Sequence, residues 1–195
     1  VTVAAVSSEL SGFLRLASNV VSGVGLDGSG NRSVDPSTMW LNTGNGNYGG
    51  PVDSNPYIEF DLGGLYNVSS ISVYNYNEVN YTARGVSSFD LLGSTDGVTF
   101  NDLGIETLQQ APGTATNFVQ TLSVLDQVRY VKFANLTAFS GDDNNLVGLG
   151  SVAFGGTAAS LATASAVPEP GSLAILAFSL VGILAGRYWL RTPTA

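Results

Sequence analysis

Residues 57–62, Tyr-Ile-Glu-Phe-Asp-Leu, alternate strictly between outward acidic and inward apolar side chains, and a two-residue period of this kind suits a half-buried β-strand and little else. Ile58, Phe60 and Leu62 fall on one face, Glu59 and Asp61 on the other. Gly63-Gly64 is expected to end this strand. Alternation resumes over residues 68–76 with Ile71 and Val73 inward, which predicts an antiparallel neighbour. Residues 86–92 form a further strand, and Asp96-Gly97 within residues 95–100 supplies a tight reversal. More strands are predicted at 118–122, 128–134 and 147–154. No segment before residue 156 sustains a helical period, so the body reads as an all-β sandwich or jelly roll.

Composition agrees with that reading and removes several chemistries. Only 11% of the residues are charged and 24 of 195 are glycine, which favours short strands and tight turns over long charged helices. The length suits one domain and a tail. Fifteen acidic against seven basic residues give a net charge of −8, so the surface repels phosphate backbones, and nucleic acid is not an expected partner. The chain holds no cysteine and no histidine, which removes thiol nucleophiles, thiolate metal sites and the commonest general base.

The C-terminal part has a different character. Residues 156–166 are small and lack an aromatic anchor, as in a linker. Val167-Pro168-Glu169-Pro170 follows, with two prolines that block helix and hold the backbone extended. Residues 172–190 then form a short hydrophobic helix suited to a marginal membrane span. Arg187 and Arg191 lie at its end and Glu169 before it, which orients the C-terminus inward and the body outward.

This order of parts, Val-Pro-Glu-Pro, short apolar helix and arginine-bearing end, closely resembles the PEP-CTERM sorting signal of exopolysaccharide-producing Gram-negative bacteria. The resemblance implies an exported protein, anchored transiently in the inner membrane, whose tail is cleaved by an exosortase-type protease before the protein joins the cell surface or extracellular matrix. Two arginines separated by Tyr188, Trp189 and Leu190 replace the family's tight basic run.

The body carries a second resemblance. Residues 35–40 (DPSTMW), 57–63 (YIEFDLG), 94–100 (STDGVTF), 129–133 (RYVKF) and 148–154 follow one another as in the discoidin, or coagulation-factor C-type, domain. It spans residues 1–155 and implies an eight-stranded jelly roll of the galactose-binding-like group, in which many relatives bind sugars through loops at one end. Relatives often hold a structural calcium with an Asp-Gly pair upstream of the tryptophan and a glutamate near the last strand. Here Ser22-Gly23 and Ser151 occupy those places, leaving Asp27 and Asp35 as substitute ligands for Ca²⁺.

The best binding candidate is the loop from Asn75 to Arg84. Tyr76, Asn77, Glu78, Asn80, Tyr81 and Arg84 combine aromatic faces, amides, a carboxylate and a guanidinium, the mixture that grips a pyranose by its apolar face and its hydroxyls. Tyr48, in the glycine-rich loop 42–50, is expected beside them, and Trp40 is expected in the core. Glu59 and Asp61 share a strand face, which suits surface charge better than a pair flanking a scissile bond. The leading expectation is therefore an exported, non-enzymatic protein that binds glycan or exopolysaccharide. The alternative is a structural or adhesive biofilm matrix protein without a defined sugar site.

Overall fold

The computed structural model describes residues 1–140 and 144–159, with the backbone alone of Leu125. Seven strands appear among them: β1 (Thr2–Val6), β2 (Trp40–Leu41), β3 (Ile58–Asn75), β4 (Val86–Ser94), β5 (Asn101–Thr107), β6 (Val119–Ala138) and β7 (Gly148–Ala158). A single helical turn, α1 (Asn19–Ser22), and three short 3₁₀ segments lie in the loops. The hydrogen-bonded order is β2-β7-β3-β6-β4-β5, with β1 added to the first part of β3. All of these strand pairings are antiparallel.

The two longest strands make the fold. β3 runs 18 residues and β6 runs 20, paired along most of their length. Residues 57–62 and 68–76 are thus not hairpin neighbours: they belong to one strand. The register shifts between Asp61 and Tyr66, where Gly63 takes a φ of +83°, so the glycines bend the strand and do not end it. This merger also leaves seven strands among the described residues where the resemblance implies eight.

Ring contacts show how far the ribbon bends. Phe154 of β7 sits opposite Ile71, eleven residues along β3 from Phe60, which on a straight strand is about 36 Å away. Yet the Phe154 and Phe60 rings are 5.2 Å apart. The two halves of the ribbon therefore face each other across one core. Phe60, Phe89 and Phe133 fill it from one side, and Val68, Ile71, Val73, Leu122 and Val152 from the other. Trp40 is fully buried there, its indole N–H donating to the Ser8 carbonyl at 3.0 Å. The result is an all-β jelly-roll sandwich.

The predicted reversal at Asp96-Gly97 joins β4 to β5. Asp96 accepts from the backbone N–H groups of Val98 and Thr99, both at 2.8 Å, and Gly97 takes a φ of +76°. At the other boundary β7 passes the expected domain end at 155, because residues 156–158 still pair with Val68, Asn67 and Tyr66. The rest of the expected linker, the Val167–Pro170 motif and the 172–190 helix lie outside the described residues. Among the described residues no helix is long and apolar enough to cross a membrane.

Candidate functional site

Beyond Asn75 the chain leaves β3 and turns through residues 76–85 at one end of the sandwich. Asn75 itself anchors this exit: its buried side chain accepts from the Tyr76 and Val86 N–H groups and donates to the Val86 and Gln109 carbonyls. It closes the loop much as a strand partner would.

Tyr76 and Asn77 then point inward. Tyr76 is completely buried in a small cluster with Leu10, Met39, Leu41 and Leu146. Asn77 is also buried, donating to the Thr114 carbonyl and accepting from the Gly113 N–H. Both support the loop from beneath and neither offers a face to a ligand. Glu78 lies above them as a hub. Its Oε2 accepts from the Tyr76 hydroxyl at 2.5 Å and lies 3.6 Å from the Arg84 guanidinium, and its Oε1 accepts from Arg15 at 3.1 Å. Burial pushes the Tyr76 phenol up, and its hydrogen bond to Glu78 pushes the same way. Burial pulls the Arg15 guanidinium down, but its bonds to Tyr76 and its charge partner Glu78 outweigh that and leave it raised.

Aromatic rings surround this hub. The Arg84 guanidinium carbon stands 4.2 Å from the Tyr81 ring centre and 6.0 Å from that of Tyr48. Tyr48 meets Phe13 edge-on at 6.3 Å, and Arg15 lies 5.7 Å from the Phe13 ring. Tyr81, Tyr48 and Phe13 are each nearly half exposed. Between them lies a recess of about 80 Å³ lined by Leu10, Phe13, Arg15, Leu41, Tyr48, Arg84 and Leu146. That is far below the roughly 300 Å³ at which enclosed ligand sites begin, so the arrangement is an open platform with a small central dimple. A larger recess of about 550 Å³ lies at the opposite end of β3 and β7, but Asn67, Val68, Ser69, Asp126, Gln127, Gly156 and Thr157 line it without an aromatic ring.

The structure therefore brings Tyr48, Glu78, Tyr81 and Arg84 together, as the sequence suggests, and adds Phe13 and Arg15 from a segment that carried no signal. Phe13 ends a 3₁₀ turn, Ser11–Phe13, and the next residue, Leu14, takes a left-handed φ of +61° that turns the chain back toward the platform. Asn80 is exposed and holds the tip of the 78–81 turn at a φ of +67°.

The substitute calcium ligands lie elsewhere. Asp27 accepts from the Asn31 amide, the Asn31 N–H and the Ser29 N–H, which hold its carboxyl below the usual range. Asp35 accepts from the hydroxyl and N–H of Ser37, capping the 3₁₀ segment Pro36–Thr38, with the same effect. Among the described residues no three acidic side chains gather as a metal cluster. Glu59 and Asp61 are likewise occupied. Asp61 takes a two-pronged bond from Arg129 at 3.0 and 2.9 Å, and Glu59 pairs with Lys132 at 3.5 Å.

A family model described as the F5/8 type C domain matches residues 16–148, and a model of the PEP-CTERM protein-sorting motif matches residues 166–191. No curated protein matches. Among solved structures, CBM32-3 from a family 31 glycoside hydrolase of Clostridium perfringens superposes with a TM-score of 0.59 at 15% identity, covering 80% of this chain and 90% of that one. A pectin-binding carbohydrate-binding module gives 0.54 at 19% identity over 82% and 92% of the two chains. The CBM32 of AlyQ, solved with 4,5-unsaturated mannuronic acid, gives 0.51 at 22% identity over 80% and 94%. At such identities the likeness establishes the fold.

Proposed function

Since this chain belongs to the F5/8 type C domain family and carries a PEP-CTERM sorting motif, we propose that it is an exported, surface-targeted protein that binds carbohydrate on the platform of Tyr81, Tyr48 and Phe13. The observation that carries this reading is the convergence of three half-exposed rings on two guanidinium groups and one carboxylate. A sugar ring laid across the rings gives its apolar face to them, while Arg84, Arg15 and Glu78 supply donors and acceptors for its hydroxyls. The openness of the platform suits a residue within or at the end of a long chain better than a small molecule enclosed on all sides. The ligands of two structural relatives, pectin and an unsaturated mannuronic acid, support the same class.

The glycan met after export is, in this reading, the exopolysaccharide around the producing cell. The tail supplies the address: an exosortase-type protease takes Val167-Pro168-Glu169-Pro170, and the hydrophobic segment after it holds the chain in the inner membrane until cleavage. The domain belongs to a binding type and works without catalysis.

The test is affinity electrophoresis of the full chain, purified in mild detergent, through gels containing pectin, polymannuronate or the producer's own exopolysaccharide. Retardation by at least one polymer, lost in Tyr81→Ala with melting unchanged, is the expected result. Free migration through all of them would instead leave a matrix protein that assembles by protein contacts.

A further inference from the structure

Arg32 is 2% exposed, yet among the described residues no carboxylate contacts it. Its partners are neutral oxygens gathered from three separate segments. One terminal nitrogen donates to the Val24 carbonyl at 2.5 Å and the Ser151 hydroxyl at 3.1 Å. The other donates to the Thr38 carbonyl at 2.5 Å and the Thr38 hydroxyl at 3.2 Å. Among the described residues Nε has no hydrogen-bond partner. Two carbonyls and two hydroxyls that converge on one planar group form a cage for a cation, and here the cation is part of the chain.

The surroundings are cut to admit it. A Cβ on Gly25, whose φ is +78°, would stand 2.8 Å from the inner guanidinium nitrogen and 2.5 Å from the Thr38 hydroxyl. A Cβ on Gly150 of β7 would stand 2.9 Å from Nε. At Gly150 the Asn75 and Tyr74 carbonyls, 2.8 and 2.9 Å from that Cβ, exclude a side chain as well, so the guanidinium lies in space that glycine leaves open at both positions. The backbone of Arg32 is fixed as well: its N–H donates to the Thr116 carbonyl at 3.0 Å, and the Ser33 N–H bonds to Gly25 at 2.7 Å.

These oxygens do not suit calcium. Ca²⁺ takes six to eight oxygen ligands and draws on carboxylates for charge balance. The cage offers four neutral oxygens, with a positive group already among them, and Ser151 brings a hydroxyl where calcium would need a carboxylate. A single delocalised charge with forked donors is the better match, because guanidinium is weakly hydrated and its N–H directions are fixed. Burial pushes Arg32 down only to about 10, so it keeps its charge at neutral pH.

We propose that the Arg32 guanidinium takes the place of a structural divalent cation in this domain, fastening the 24–38 loop to β7 at Ser151 and making the fold independent of calcium. The proposal does not depend on the glycan reading. An ion that binds only the folded state raises the melting temperature, so the test is thermal unfolding of the full chain in mild detergent, in calcium chloride and in EDTA, for the wild type, Arg32→Met and Arg32→Lys.

The wild type is expected to melt at one temperature in both solutions. Arg32→Met, which keeps length and loses donors, should melt well below it, and Arg32→Lys between the two. A calcium-dependent rise in the wild type overturns the proposal, whatever the variants do. Arg32→Met melting with the wild type overturns it too. If Arg32→Met yields no folded protein, Arg32→Lys decides: melting below the wild type sustains the forked contact, and melting at or above it removes the case for guanidinium.

Discussion

Arg84 lies over Tyr81, its guanidinium carbon 4.2 Å from the ring centre, with the tyrosine nearly half exposed and the arginine almost wholly covered. The arginine thereby holds flat a ring that would otherwise swing in solvent. Tyr81→Phe keeps the face and Tyr81→Ala removes it. Glycan affinity is expected to fall by roughly 5- to 30-fold in Tyr81→Ala, about 1–2 kcal/mol, and by much less in Tyr81→Phe. Titration calorimetry with a retarding polymer reads the difference, and equal losses in the two variants would shift the role from the ring to the hydroxyl.

Phe13 was invisible as a site residue in the sequence, which makes it the more searching probe. It is half exposed and touches Tyr48 only edge-on. Phe13→Ser should weaken glycan binding about as much as Tyr81→Ala while leaving the melting temperature within the scatter of surface substitutions. Full affinity in Phe13→Ser would confine the platform to the tyrosines.

Glu78 is a structural hub before it is a ligand contact. Its side chain is 14% exposed and lies between two guanidinium groups and a buried phenol. Glu78→Ala takes away the acceptor shared by the buried Tyr76 hydroxyl and Arg15 and is expected to cost roughly 1–3 kcal/mol. Urea unfolding followed by tryptophan fluorescence measures it, and a midpoint unchanged from the wild type would mean that water replaces Glu78 as acceptor for Arg15 and Tyr76.

Phe60 joins the two halves of the bent ribbon through Phe133 at 5.3 Å and Phe154 at 5.2 Å. It is fully buried. Phe60→Ala should therefore lower stability by about 3–5 kcal/mol, by lost burial and by the cavity left. Phe60→Leu should lose distinctly less, and the same urea experiment separates them.

The pH profile follows from the carboxylates. Asp27, Asp35, Asp61 and Asp96 are all held below their usual range, by the side chains of Asn31, Ser37 and Arg129 and the backbone N–H of Thr99 respectively. A depressed folded-state value adds stability above the unfolded value near 3.8 that is lost as pH falls through the folded one. Melting temperature should therefore decline as pH drops below about 4. With no histidine in the chain, no side chain titrates at its ordinary value between pH 5 and 8. The raised Tyr76 works in the other direction: its contribution is full below the ordinary phenol value near 10 and fades at higher pH. A step in stability between pH 6 and 7 would contradict this assignment.

Alternation revealed the core because burial on one face of a strand imposes a two-residue period, and Ile58, Phe60, Ile71 and Val73 all lie where that period puts them. The glycines at 63–64 misled because a bulge and a strand end use the same residue: only the register against β6 distinguishes them. At the site, Tyr81, Glu78 and Arg84 were legible because they share one loop. Tyr76 was not, since its burial depends on Leu10, Met39 and Leu146 from three remote segments. Phe13 and Arg15 escaped notice for the same reason, as did the cage around Arg32. Val24, Thr38 and Ser151 have no local pattern in common and meet only in three dimensions.

The strand order has a bearing on time. Among the described residues β7 is the last strand in the chain, yet it lies between β2 and β3, pairing Trp40 with Leu149 and Ile71 with Phe154. Most ladders join residues far apart in the chain, and such topologies fold in milliseconds to seconds, not microseconds. Until residues 148–158 have emerged, β2 and much of one side of β3 lack their partner, so the sheet cannot close before β7 is made. Closure of the sheet is therefore a late event: β2 and β3 are joined only when β7 is laid between them.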